Sequence, residues 1–144
     1  MLYKKELSSS ANSAQLVIVH FHGGGLIAAD SLFPDFFGCW LLDLAKKHRA
    51  VIVSANHHLL PEANVTDILE DLDDVSTWVQ SSLPEFLKTK SQGKVDYDLK
   101  RILTAGESAG GYLALQLALN YPDDIRTILT QYPMIDCLLR VWKT

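Results

Sequence analysis

Short apolar runs alternate with stretches of helical periodicity, and this alternation constrains the chain more than any other feature. "QLVIVHFH" (15–22), the start of "AVIVSANHHLLPE" (50–62), "KRILTAG" (100–106) and "IRTILTQYPM" (125–134) read as short strands of a buried sheet. Between the first two, "FPDFFGCWLLDLAKKH" sets Phe37, Trp40, Leu41, Leu44 and Ala45 on one helical stripe, with basic residues in the last turn. "NVTDILEDLDDVSTWVQSSL" sets Val65, Leu69, Leu72, Val75 and Val79 near helical spacing behind Asn64 or Thr66 as N-cap. "KSQGKVDYDL" carries loop chemistry, and "SAGGYLALQLALNY" is an apolar helix ending near Pro122. Strands and helices in strict alternation imply a mainly parallel sheet with helices on both faces, an α/β fold. Residues 1–144 fit one domain.

Composition narrows the function classes. With 48% hydrophobic and 21% charged residues the chain has the balance of a globular protein with a packed core. A net charge of −4, with lysines and arginines in short scattered groups, gives no footprint for nucleic acid. No apolar run is long enough for a membrane span, and "MLYKKELSSSANSAQ" lacks a signal-peptide core, so a cytoplasmic location is expected. Cys39 and Cys137 form no CxxC, and Cys39 falls in an apolar helical pattern. A buried reduced thiol is expected there rather than a disulfide or a zinc ligand.

Two stretches carry chemistry. "GESAGG" follows a strand and opens a helix, the context in which G-x-S-x-G lifts a serine above a sheet edge. Ser108 is then the nucleophile, and Gly106 and Gly110 are the positions where the tight turn leaves no room for bulk. "HGGG", His22, Gly23, Gly24 and Gly25, ends the first strand. Its bare backbone N–H groups at Gly24 and Gly25, with that of Ala109, suit the oxyanion of an acyl-transfer intermediate. Taken singly, the first pattern also arises by chance and the second also serves as a flexible loop or an anion nest. Together they end parallel strands at one edge, where ligand sites of α/β sheets form.

With "HHLLPE" between them, "FHGGG" and "GESAGG" resemble the hormone-sensitive-lipase-like group of α/β hydrolases, over about Leu16 to Asp136. Tyr132-Pro133 matches the group's Y-P after the next strand. The resemblance implies a partial α/β-hydrolase fold and a serine hydrolase of carboxylic esters, carboxylesterase- or lipase-like. It implies a small-molecule ester as partner and no cofactor or metal. It makes His22 a loop-shaping residue and gives Glu107 a position where Asp and Glu are both familiar.

Two departures matter. His57-His58 stands where the group usually has Tyr-Arg, so a brace from that arginine is absent or replaced. The group also places its triad acid and histidine after the serine. Here only Asp123, Asp124 and Asp136 follow Ser108, with no glutamate and no histidine. The resemblance therefore implies a C-terminally truncated form, the alternative being a noncatalytic ligand-binding protein or inactive fragment. His20, His22, His57 and His58 lack the spacing of a metal set and read as buried or hydrogen-bonded histidines. Leu26, Ile27, Phe33 and Tyr112 fit either a pocket lining or the core; substrate identity and oligomeric state stay open.

Overall fold

The first apolar run forms strand β1, Gln15–Phe21, and its alternation sends Val17, Val19 and Phe21 to one face of the sheet and Ile18 and His20 to the other. All five are buried to 1% exposure or less, so β1 is central. The computed structural model describes residues 14–135, with only the backbone at Phe36. A 3-10 turn, Pro34–Phe36, leads into α1, Cys39–His48; β2 is Val51–Ala55, α2 Val65–Ser81, α3 Leu83–Ser91, β3 Tyr97–Glu107, α4 Ala109–Asn120 and β4 Ile125–Gln131. The strands lie in the order β2-β1-β3-β4, and every pairing is parallel.

Helices cover both faces, as the alternation requires. Leu41 and Ala45 of α1 bury Ile18, Leu103 and Ala105, with Phe37, Trp40 and Leu44 packed alongside. On the other face Ile68, Leu72 and Val79 of α2, Leu83 and Leu87 of α3, and Leu113 and Leu117 of α4 close over Val17, Val19 and Phe21. Each such fully buried side chain contributes roughly 1.5–3 kcal/mol of transfer free energy.

Several local readings change. Cys39 is exposed rather than buried. It precedes Leu41 by two residues, about 200° around the helix, and so faces away from the stripe. The N-cap of α2 is Asn64, whose side chain accepts from the N–H groups of Thr66 and Asp67 while Asp67 returns a bond to the Asn64 N–H. Starting there turns Val65 outward and Ile68 inward. The helix α3 had no counterpart in the sequence reading. Its two buried leucines are one turn apart, and Pro84 sits in the first turn, where a missing N–H costs nothing. Tyr97–Leu99, read as loop, are the start of β3 and pack partly buried against the core.

The N-terminal turn of α4 lies directly on the end of β1. A Cβ at Gly110 would stand 2.5 Å from the His22 carbonyl oxygen and 2.6 Å from the Phe21 carbonyl carbon. Neither can move aside without shifting backbone. Gly110→Ala should therefore lower unfolding stability by at least ~2 kcal/mol in a urea titration. Gly93→Ala, at φ +71° with nothing within 4 Å of the added carbon, should cost only the ~1 kcal/mol of left-handed backbone.

Candidate active site

Strand register brings the two glycine-containing stretches together. Phe21 at the end of β1 pairs with Gly106 near the end of β3, so His22 and Ser108 leave the sheet at the same edge. Ser108 joins β3 to α4 with φ 53° and ψ −119°, a conformation that costs a non-glycine residue on the order of 1–3 kcal/mol. Backbone bonds hold it there. The Ser108 N–H donates to the Gln131 carbonyl at 3.1 Å, and the Ser108 carbonyl accepts from Met134 at 2.9 Å and from Tyr112 at 3.2 Å. Gly106 and Gly111 close the turn: a Cβ at Gly106 would lie 2.8 Å from the Gly111 nitrogen, and one at Gly111 would lie 2.9 Å from Pro133. Ser108 itself is partly accessible.

The residue before it is anchored from below. Glu107 is a buried carboxylate that accepts the indole N–H of Trp40 from the first turn of α1. Gly38 leaves the space for this pair, since a Cβ there would stand 2.7 Å from the Glu107 oxygen. No local pattern in the sequence marks Trp40 as the partner of Glu107.

Opposite Ser108, Gly23 is buried and Gly24 and Gly25 are partly exposed. Gly24 has φ +106° and Gly25 +67°. The Gly24 carbonyl accepts from Ile27 at 3.1 Å and Ala28 at 3.2 Å. The N–H of Gly25 shares that trans peptide and points the other way. The amides of Gly24 and Gly25 donate to no carbonyl among the described residues. As the first residue of α4, Ala109 has an N–H with no partner within the helix, at the end where the helix dipole favours negative charge.

The histidines are engaged elsewhere. His22 Nδ1–H donates to the Gly23 carbonyl at 2.7 Å, and the ring stacks on His57 with centroids 4.5 Å apart and planes 15° from parallel. His57 Nδ1–H donates to the His58 carbonyl at 2.7 Å. His58 is tied to α2: its backbone N–H donates to Asp71 at 2.6 Å and its imidazole reaches the same carboxylate at 2.9 Å. His20 Nδ1 lies 3.1 Å from Ser54 Oγ, whose hydroxyl donates to the Ser31 carbonyl, so His20 is the donor. Its ring also meets Phe37 edge to face. Among the described residues no imidazole hydrogen-bonds to Ser108, and no three His, Cys, Asp or Glu side chains gather as a metal site. Asp123 and Asp124 form the turn after α4; Asp136 and Cys137 lie outside the described residues. Leu26 and Tyr112 belong to the core, whereas Ile27 and Phe33 are exposed. No helix among the described residues is long and apolar enough to cross a membrane.

This sheet, with a serine turn and a glycine loop at one edge, is that of an α/β hydrolase, and the chain belongs to the alpha/beta hydrolase fold family, whose model matches residues 18–143. It is 34% identical over 133 residues to the "Probable carboxylesterase M8" of Phoma sp., covering 92% of this chain and 41% of that one. Among solved structures it resembles a hyperthermophilic esterase from Pyrobaculum calidifontis at 26% identity and TM-score 0.67, covering 86% of this chain and 38% of that one. A hormone-sensitive lipase from a metagenome library aligns at 26% identity and TM-score 0.58, over 88% of this chain and 39% of that one. The chain thus spans less than half the length of these relatives, and the resemblance read from "FHGGG" and "GESAGG" holds.

Burial sets the pH response. It lowers the His20 pKa from 6.5 to about 4, helped by the neighbouring His22, and burial also lowers that of His57. As pH falls through 6.5 the unfolded chain takes up a proton at His20 that the folded chain refuses until about 4. Stability should therefore be constant above pH 7 and fall by about 3 kcal/mol between pH 6.5 and 4 from His20 alone. Urea titrations across that range check this. His20→Gln, which cannot take up the proton, should flatten the slope.

Proposed function

We propose that the chain carries the nucleophile and oxyanion half of a serine carboxylic-ester hydrolase. The observation that supports this most directly is the contact of Gly110 with the Phe21 and His22 carbonyls, which joins the serine turn to the glycine loop. Ser108 Oγ attacks the ester carbonyl carbon, the carbonyl π pair moves onto oxygen, and the N–H groups of Gly24, Gly25 and Ala109 receive the oxyanion. Collapse expels the alkoxide, which leaves as the alcohol after taking a proton, and water then releases the acid from the acyl-serine. His22 and Gly23 shape the loop, Gly106 and Gly110 permit the turn, and Glu107 braces it through Trp40.

The proton that leaves Ser108 needs a base, and among the described residues no imidazole hydrogen-bonds to Ser108. A serine without an imidazole partner there favours a second reading, a ligand-binding site that keeps the pocket edge without turnover. Both readings take a small-molecule ester. Hydrolysis of p-nitrophenyl butyrate by the purified chain separates them. The esterase reading expects a rate above buffer that Ser108→Ala lowers at least 100-fold. Equal rates in the two folded proteins, with saturable binding of the ester, support the binding site instead.

A further inference from the structure

We propose that His57 is a positioning residue that sets the direction of the Gly24 N–H by stacking on His22. The inference rests on the reading of Gly24 as an oxyanion donor, and it names a residue for which neither of the two chemistry-bearing stretches accounts. The His22 ring donates to the Gly23 carbonyl at 2.7 Å. In the trans peptide between Gly23 and Gly24 that carbonyl and the Gly24 N–H point in opposite directions, so fixing one fixes the other. Gly24 has no side chain and lies at φ +106°, so its own backbone preference does little to hold the peptide in place.

The orientation of the His22 ring therefore decides where the amide points. The Gly23 bond holds one edge of that ring and leaves its tilt to what packs against its faces. His57 removes that freedom, covering one face of the ring at 4.5 Å and 15°. His57 is in turn held from two sides. Its Nδ1–H donates to the His58 carbonyl at 2.7 Å, and the His58 backbone is tied to Asp71 of α2 at 2.6 Å. A continuous set of contacts thus runs from α2 through His58 and His57 to His22 and the glycine loop. His22 and His57 are both buried, and the Nε2 atom of each finds no partner among the described residues. Among the described residues, hydrogen bonds therefore reach the two rings only at Nδ1, and the stack supplies the contact between them.

The test compares His57→Leu with His57→Phe. Both fill the space, but only phenylalanine offers a ring to His22. In the amide spectrum of the 15N-labelled chain, His57→Leu should displace the Gly24 resonance, and His57→Phe should return it most of the way. In p-nitrophenyl butyrate hydrolysis, His57→Leu should lower kcat about tenfold with KM within about twofold, and His57→Phe should recover most of that loss. An unmoved Gly24 resonance in a folded His57→Leu protein overturns the proposal, as do equal losses in the two variants. A wild-type chain that hydrolyses nothing counts against the esterase reading alone, and the amide spectrum then decides the role of His57.

Discussion

Everything at the active edge depends on one backbone-to-backbone contact, the seating of Gly110 on the carbonyls of Phe21 and His22. A helix normally stands off a sheet by the length of its side chains. Here α4 begins against the strand end itself. That approach brings the first turn of α4, with the Ala109 amide, to the strand end from which the glycine loop leaves. The helix stays there because its inner face is buried: Leu113 and Leu117 are each 1% exposed or less. Burying those two side chains, at roughly 1.5–3 kcal/mol each, offsets the on-the-order-of 1–3 kcal/mol held in the Ser108 backbone.

The proposed site would work with dipoles rather than charges. Its three proposed donors, the N–H groups of Gly24, Gly25 and Ala109, the last at the N-terminus of α4, would supply partial positive charge without the desolvation cost of burying a cation. His20 adds no charge at neutral pH, because burial and the neighbouring His22 push its pKa down to about 4. Glu107 is the one buried carboxylate among the described residues, and the Trp40 indole satisfies it. At the far edge the design differs. Ile128 and Leu129 of β4 are adjacent, so they face opposite sides of the sheet, and both are exposed. Parallel strands are ordinarily covered on both faces.

The strand and helix order was legible because β-branched runs and 3.6-residue stripes each leave a period in the sequence. The joining of the glycine loop and the serine turn was legible too, because both motifs end strands that a parallel sheet must align at one edge. What escaped is what depends on phase or on distant partners. Cys39 looked buried until the helix start fixed which way it turned, and α3 is too short for a period to register. Trp40 and Asp71 lie 67 and 13 residues from their partners, and no local pattern marks either. His57-His58 in place of Tyr-Arg left the brace open, absent or replaced, and no local pattern marks the stack of His57 on His22.

The central claim is that Ser108 and the glycine loop form one oxyanion site. It is tested most directly by the amide spectrum of the 15N-labelled chain before and after reaction with an alkyl fluorophosphonate, whose tetrahedral adduct carries an oxygen in the place of the oxyanion. The account predicts a single adduct on Ser108 and displacement of the Gly24, Gly25 and Ala109 amide resonances together, toward stronger hydrogen bonding. An adduct on Ser108 that leaves Gly24 and Gly25 unmoved would contradict it.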